Sequence, residues 1–366
     1  MIYIHVPFCQ RFCTYCDFYS EIAGEGAFGR YADAVCAEIR RRRKELAAPE
    51  CFHPDTLYFG GGTPSLLPLD VIRRILEALQ ETGHEVPFEE FTLEANPEDI
   101  VTRGGDYLCA LRALGVDRLS IGIQSFDDGI LRWMNRRHDA STAEKAVLMA
   151  REAGFTNISV DLIFGLSQMD DRIWESTLDR TLSLNPEHIS CYQLSVEGES
   201  ALAALVAAGK YTEAGEQLCG RQYTMLCRRL AAAGYRHYEI SNFARPGCEA
   251  RHNGGYWRRI PYAGLGPGAH SLRFEGGTAI RSWNDACLAD YHSTEEVLTE
   301  ENARTETIML SLRTADGVDA NWLRSHSDPA ALSTLLASGA LEARDQRIRI
   351  PEDHFFVSDE IIRELV

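Results

Sequence analysis

Over the first half of the chain, short β-branched or apolar runs alternate with longer stretches whose apolar residues recur at helical spacing. The runs at residues 2–6, 56–59, 91–94, 118–123, 159–163 and 188–194 predict strands. Between them, residues 30–46, 71–81, 143–153 and 174–184 predict helices, which often close on a glycine. Repeated βα order builds a parallel sheet, and about six units are too few for a closed eight-stranded barrel but enough for an open one. The expected fold class is therefore α/β, a partial TIM-like barrel of six βα units. After about Ser195 the alternation stops. Residues 199–208 and 215–233 read as helices, and a stretch rich in glycine and aromatics runs from Tyr235 to Trp283. Residues 293–366 read as a small helical domain with short strands, 347–350 among them. This gives three parts: 1–195 the partial barrel, 196–292 an extension, and 293–366 the C-terminal helical domain. No internal repeat and no low-complexity linker is visible.

Composition narrows the class without fixing it. A chain of 366 residues exceeds the roughly 250–300 over which one core grows, so at least two units are expected. Hydrophobic residues at 45% and charged residues at 25% are ordinary for a folded globular protein. A formal net charge of -17 argues against a general nucleic-acid binder, since phosphate backbones are held by lysine and arginine. No run approaches the ~20 apolar residues of a membrane helix. The opening Met1-Ile2-Tyr3-Ile4-His5 lacks the layout of a secretion signal, so a cytoplasmic protein is expected.

Eleven cysteines could suggest disulfides, but the number is odd, the chain is long, and eight are scattered without pairing rhythm. The other three fall together in Cys9-Gln-Arg-Phe-Cys13-Thr-Tyr-Cys16, directly after the first strand. Zinc sites usually close with four ligands from Cys-x2-Cys pairs, and no second pair of suitable spacing occurs. Iron–sulfur clusters normally take four cysteines, so three point to a cluster with one iron left open. Zinc and coincidental packing are the alternatives. Further chemistry-bearing residues follow at successive strand ends. Gly60-Gly61-Gly62-Thr63-Pro64 permits close backbone approach to a ligand, and Glu94 is a carboxylate leaving a buried strand, where an unpaired charge is costly. Gln124, Arg136 and Asp161 follow, each of which taken alone could equally be a surface or capping residue.

The segment from Tyr3-Ile4-His5-Val6-Pro7-Phe8-Cys9 through Cys16-Asp17-Phe18 resembles the radical S-adenosylmethionine (SAM) superfamily in its HemN-like branch. The resemblance implies a [4Fe–4S] cluster on Cys9, Cys13 and Cys16 whose open iron chelates the amino and carboxylate groups of SAM. Electron donation from such a cluster breaks a carbon–sulfur bond, leaving methionine and a 5′-deoxyadenosyl radical. It also implies a SAM pocket. Tyr15 would lie near the adenine, Gly61, Gly62 and Thr63 by the amino group, and Glu94 on the ribose or amino group. Gln124 and Asp161 would meet the ribose and Arg136 the carboxylate, with Tyr3 joining the set. Tyr15 as a mere packing aromatic is the alternative.

Within the branch, the oxygen-independent coproporphyrinogen III oxidases extend the triplet to Cys-x3-Cys-x2-Cys-x-Cys and carry a segment ahead of the first strand. Here the fourth position is Phe18 and the sequence opens on the strand, and both departures count against that activity. Tyr238-Glu-Ile-Ser-Asn242-Phe243, then Arg251-His252-Asn253-Gly-Gly-Tyr256-Trp257, then Gly264-Leu-Gly-Pro-Gly-Ala-His270-Ser271 resemble the HemW-type haem chaperones, whose distinguishing motif is His-Asn-x-x-Tyr-Trp. An imidazole can ligate haem iron, Tyr256 and Trp257 offer flat apolar surface, and Arg251, Arg258 and Arg259 could pair propionates. His252 as a plain loop anchor is the alternative. The resemblance implies haem as cargo and apo-haemoproteins as acceptors, respiratory ones at the membrane among them, which adds peripheral membrane contact to the cytoplasmic location. An electron donor such as a flavodoxin or ferredoxin is implied as well, and nucleic acid is not a partner. The competing expectation is a radical enzyme acting on a porphyrinogen, or a methyl or alkyl transferase, the latter needing a second SAM for which no motif is visible.

Overall fold

The computed structural model describes residues 1–48, 55–84, 87–198 and 200–366. Glu199, where one predicted helix begins, lies outside them. Six strands lie side by side in chain order, all parallel: β1 (Ile2–Val6), β2 (Thr56–Gly61), β3 (Glu90–Ala95), β4 (Arg118–Gln124), β5 (Ile158–Phe164) and β6 (His188–Gln193). Helices Ala27–Arg41, Leu69–Gln80, Pro97–Ala113, Ala140–Glu152 and Asp171–Ser183 carry the chain back between them. This is the expected open arrangement of six βα units. Beyond β6 the sheet continues with an antiparallel hairpin, β7 (Arg236–Glu239) and β8 (Asn242–Ala244), and beyond β1 with β9 (Ala263–Leu265), parallel to it. Among the described residues its two edges do not pair, so the barrel stays open.

Parallel strands covered on both faces usually read as continuous apolar runs. Here they alternate. Ile2, Ile4 and Val6 of β1, Leu57 and Phe59 of β2, and Leu119, Ile121 and Ile123 of β4 all join the main apolar core. The opposite, inner face carries Tyr3, His5, Tyr58, Glu94, Arg118, Ser120, Asp161 and His188, because side chains two residues apart share a face. These polar groups satisfy one another across neighbouring strands. The Tyr58 hydroxyl donates to Glu94 Oε1 at 2.6 Å, Ser120 Oγ donates to Asp161 Oδ2 at 3.1 Å, and Ser159 Oγ lies 2.8 Å from His188 Nδ1. An inner face built this way is chemistry held in place rather than a packed apolar centre.

Side-chain caps explain several helix starts. Asp127, Asp139 and Asp170 cap the helices that follow them, accepting from the amides of Ile130, Thr142 and Ile173, each at 2.8 Å. The helix Pro97–Ala113 is absent from the sequence reading because Gly104-Gly105 interrupts its pattern, and at Gly104 (φ 78°, ψ -178°) the backbone does leave the helical region.

Beyond β9, strands β10 (His270–Glu275), β11 (Thr278–Asn284) and β12 (Ser293–Val297) form an antiparallel sheet, so pairing continues across position 293. Helices Glu300–Leu312, Ala320–His326 and Pro329–Ser338 follow, with the short strands Val318–Asp319, Glu342–Arg344 and Arg347–Arg349. The amides of Ile240 and Ala315 donate to the carbonyls of Arg313 and Tyr238, each at 3.0 Å, and fasten this segment to the β7–β8 turn. No helix among the described residues is long and apolar enough to cross a membrane.

One buried carboxylate ties the first helix to the far end of the chain. Glu38, 1% exposed, accepts from the Gly266 amide at 2.8 Å, from Asn284 Nδ2 and the Tyr291 hydroxyl at 2.9 Å, and from Arg42 Nη1 at 3.2 Å. Glu38→Ala leaves the Gly266 amide and the Tyr291 hydroxyl without their acceptor, while Asn284 Nδ2 keeps the Gly266 carbonyl and Arg42 Nη1 the Gly264 carbonyl, and it is expected to lower unfolding free energy by about 3 kcal/mol. Denaturant titration checks this. A loss within the error of wild type would show that the network is dispensable.

Candidate functional site

The loop after β1 carries the three cysteines and is pinned on several sides. Phe8–Cys9 pairs with Glu21–Ile22, Thr14 donates through its amide to the Met134 carbonyl (3.1 Å) and through Oγ1 to Trp133 (2.8 Å), and Asn135 Nδ2 donates to the Phe12 carbonyl (2.7 Å). Cys9, Cys13 and Cys16 are all free thiols. Cys9 Sγ lies 3.5 Å from Thr63 Oγ1, and Arg136 Nη1 donates to Cys13 Sγ at 3.4 Å. Burial pushes the Cys9 thiol up and the Cys16 thiol up to about 11, so metal binding there displaces protons. Among the described residues no three His, Cys, Asp or Glu converge on one point, as a mononuclear zinc site requires. Three half-buried thiols beside a guanidinium suit a cluster that takes each thiolate on a different iron.

Arg136 sits at the centre of the next group. Its Nη2 donates to the Gly122 carbonyl at 2.5 Å and to Asn96 Oδ1, while its Nε is buried without a partner. Gln124 ends β4 with φ 69°, a left-handed conformation rare for a residue with a side chain, at a shift in the β4–β5 register. Strain of this kind concentrates at functional sites. In the glycine turn, a Cβ at Gly61 would meet the His5 ring at 2.6 Å and one at Gly62 the Phe8 carbonyl oxygen at 2.7 Å. These two glycines therefore let β2 close onto β1 and the cysteine loop, and a Cβ at Gly60 would meet the Tyr58 ring at 2.6 Å and fall 3.1 Å from Glu94 Oε1. Thr63 bridges the two regions, since Asn96 Nδ2 donates to its Oγ1 at 3.4 Å. Tyr15 is packed against the core, and burial raises its hydroxyl pKa.

Glu94 receives the Tyr58 hydroxyl on one oxygen and the Gly61 amide (3.1 Å) on the other, and burial raises its carboxyl to about 7. Asp161 is likewise raised by burial and held by Ser120 and Ser159. Glu94, Tyr3 and Tyr58 line a cavity of about 510 Å³ together with Glu239, His252, Tyr256 and Trp257. The structure thus brings the inner face of the strands and the His-Asn-x-x-Tyr-Trp segment to one place. That segment is the helix Arg251–Trp257. His252 is 1% exposed, with Nδ1 2.8 Å from Thr56 Oγ1 and Nε2 2.8 Å from the Tyr256 hydroxyl, and burial lowers its pKa to about 3. Both its nitrogens are engaged by the protein. Of the three neighbouring arginines, Arg251 pairs with Glu89, and neither it nor Arg258 is in the lining of this cavity.

Several site residues escaped the sequence reading. Tyr58 and Arg118 carry a signal, because the period-two alternation of β2 and β4 sets them on the inner face with Gly60 and Ser120. Asn96, which orients Arg136, and Glu239, which joins the cavity from β7, carry none, since contacts between distant segments bring them in.

Residues 3–180 match the family described as the radical SAM superfamily. The chain is 35% identical over 334 residues to the protein named heme chaperone HemW from Synechocystis, covering 86% of this chain and 78% of that one. It is 33% identical to the heme chaperone HemW of Bacillus subtilis over 86% of this chain and 84% of the relative. Against the one from Mycobacterium tuberculosis the figures are 32%, 100% and 94%. Among solved structures, coproporphyrinogen III oxidase (HemN) from Escherichia coli superposes with a TM-score of 0.80 at 23% identity, over 99% of this chain and 89% of that one, which shows a shared fold. With a cysteine triplet on the first strand's loop, a polar inner face, and matches spanning nearly its whole length, this chain belongs to the HemW family of the radical SAM superfamily.

Proposed function

We propose that this chain is a haem chaperone that retains a radical SAM site, binding haem and passing it to apo-haemoproteins. The observation that carries this reading is the cavity in which Glu94 and Tyr3 of the strand ends meet Tyr256 and Trp257 of the His-Asn-x-x-Tyr-Trp helix. Relatives named for haem chaperoning match along most of the chain. Cys9, Cys13 and Cys16 would hold a [4Fe–4S] cluster, and the buried, partnerless Nε of Arg136 supports a role for that side chain on the SAM carboxylate. Glu94, Gln124 and Asp161 would hold the amino and ribose groups, Gly61, Gly62 and Thr63 would shape the turn beside them, Tyr15 would flank the adenine, and Tyr3 would close the wall. Bound there, cluster and SAM supply one-electron cleavage of a carbon–sulfur bond. A flavodoxin or ferredoxin would be the electron source, and acceptors at the membrane would call for peripheral contact by a cytoplasmic protein. His252 would need to release Tyr256 before its imidazole could reach iron. In this reading residues 1–195 carry the cluster and SAM, 196–292 the haem-facing wall, and 293–366 the cover.

A porphyrinogen-oxidising enzyme is the second reading, favoured by the shared fold with HemN. Against it, Phe18 stands where a fourth cysteine would be, 66% exposed beside the cluster loop. Titrating the anaerobically reconstituted protein with haem, beside a coproporphyrinogen III decarboxylation assay with SAM and reductant, separates them. Binding of roughly one haem per chain without protoporphyrinogen IX is expected. Substantial decarboxylation would replace the chaperone reading with the enzyme one.

A further inference from the structure

A second, larger cavity of about 790 Å³ opens beside the first, and Tyr3 and Tyr256 belong to the walls of both. One side is the cysteine loop, through Phe18 and Tyr19, and the other is β10 and β11 with the helix Glu300–Leu312. Three of its features have no part in the SAM pocket. His270, exposed at the start of β10, makes no hydrogen bond through either ring nitrogen among the described residues, and its ring stacks on Trp283 at 6.3 Å. Two other histidines near the cavities are spent, since His5 lies between the Tyr3 hydroxyl and the Tyr19 carbonyl, and His252 between Thr56 and Tyr256.

Arg259 and Arg281 share a single carboxylate, Glu306. Arg259 Nε and Nη2 are buried without a well-directed hydrogen bond, and its backbone holds φ 53°, strained for an arginine. Two guanidiniums on one carboxylate leave a positive charge and several donors unmatched, which is costly in a half-buried place and is relieved by a ligand bearing carboxylates. The other acids of the lining, Asp17 and Asp285, pair with neither arginine. Trp283, Tyr262 and Phe18 supply flat apolar surface in the same lining.

We propose that haem docks in this cavity, with His270 as its axial ligand and Arg259 and Arg281 on its propionates. The inference rests on the haem-carrying reading and gives that cargo an axial ligand other than His252. Because Phe18 and Tyr19 form one wall, docked haem lies against the loop that carries Cys16.

The test uses the full chain with its cluster reconstituted, titrated with haem while the Soret band, iron and sulfide content and melting temperature are followed. His270→Ala is expected to shift the Soret band and weaken haem at least about tenfold, with cluster content unchanged, whereas His252→Ala keeps the wild-type Soret position. Arg281→Gln is expected to weaken haem about tenfold, the size of one charge-assisted hydrogen bond, yet to leave affinity for haem dimethyl ester unchanged, since the ester has no propionate charge to pair. A well-folded His270→Ala protein with wild-type Soret band and affinity overturns the proposal, as does an Arg281→Gln loss equal for haem and ester. Wild-type protein that binds no haem at all overturns the chaperone reading itself, a separate outcome.

Discussion

Cys13→Ala is expected to reduce reconstituted iron and sulfide from about four of each per chain to background, and to remove any spectral response to SAM. Among the described residues these three thiols share one loop, so removing one leaves two attachment points on it. Cys191 and Cys219 are buried elsewhere in the core and Cys109 is exposed on the helix Pro97–Ala113. Cys13 is also the thiol that receives the Arg136 guanidinium, at 3.4 Å. Cys109→Ala is the control and should load normally. A Cys13→Ala protein with a full, SAM-responsive cluster would dismiss the triplet as the cluster site.

The parts of the fold most legible in the sequence are those written in local pattern. The run at residues 2–6 reads as a strand because Ile2, Ile4 and Val6 must be buried together, and β1 occupies those residues. β4 extends one residue further than its apolar run because Gln124, though left-handed, still pairs with β5. The alternation of Arg118, Ser120 and Gly122 with Leu119, Ile121 and Ile123 already states which face is polar, but only the assembled sheet shows that the polar faces of six strands meet. The cysteine triplet is legible because three ligands on one loop are close by covalent connection alone. The surroundings of His252 are not. Its sequence neighbours leave both a haem contact and a loop anchor open, and Thr56 on β2 and Tyr256 one helical turn on occupy its nitrogens. Thr56 is 196 residues away, and nothing local in the chain announces it.

The same limit applies to Glu239, and its burial leads to a large effect of unusual sign. Glu239 is fully buried on the cavity wall, where the Ser241 amide donates to its Oε2 at 3.1 Å and the Asn242 side chain lies beside it. Desolvation by burial raises its carboxyl from 4.5 to about 7. Below pH ~4.5 the acid is protonated in both folded and unfolded chains and costs nothing extra. Between there and pH 7 the unfolded chain ionises and the folded one does not, so stability falls as pH rises, by on the order of 3 kcal/mol, and stays low above pH 7. Glu94, raised in the same way, adds a slope of the same sign, smaller because its side chain is partly solvated. Glu239→Gln is permanently neutral and can keep the Ser241 bond. It is therefore expected to be more stable than wild type by about 2–3 kcal/mol at pH 8 and nearly equal to it at pH 4.5, with unfolding by denaturant at the two pH values as the measurement. Equal differences at both pH values would show that the carboxyl is ionised in the fold at neutral pH. The cavity wall would then carry a standing negative charge, and a cationic ligand would have to meet it.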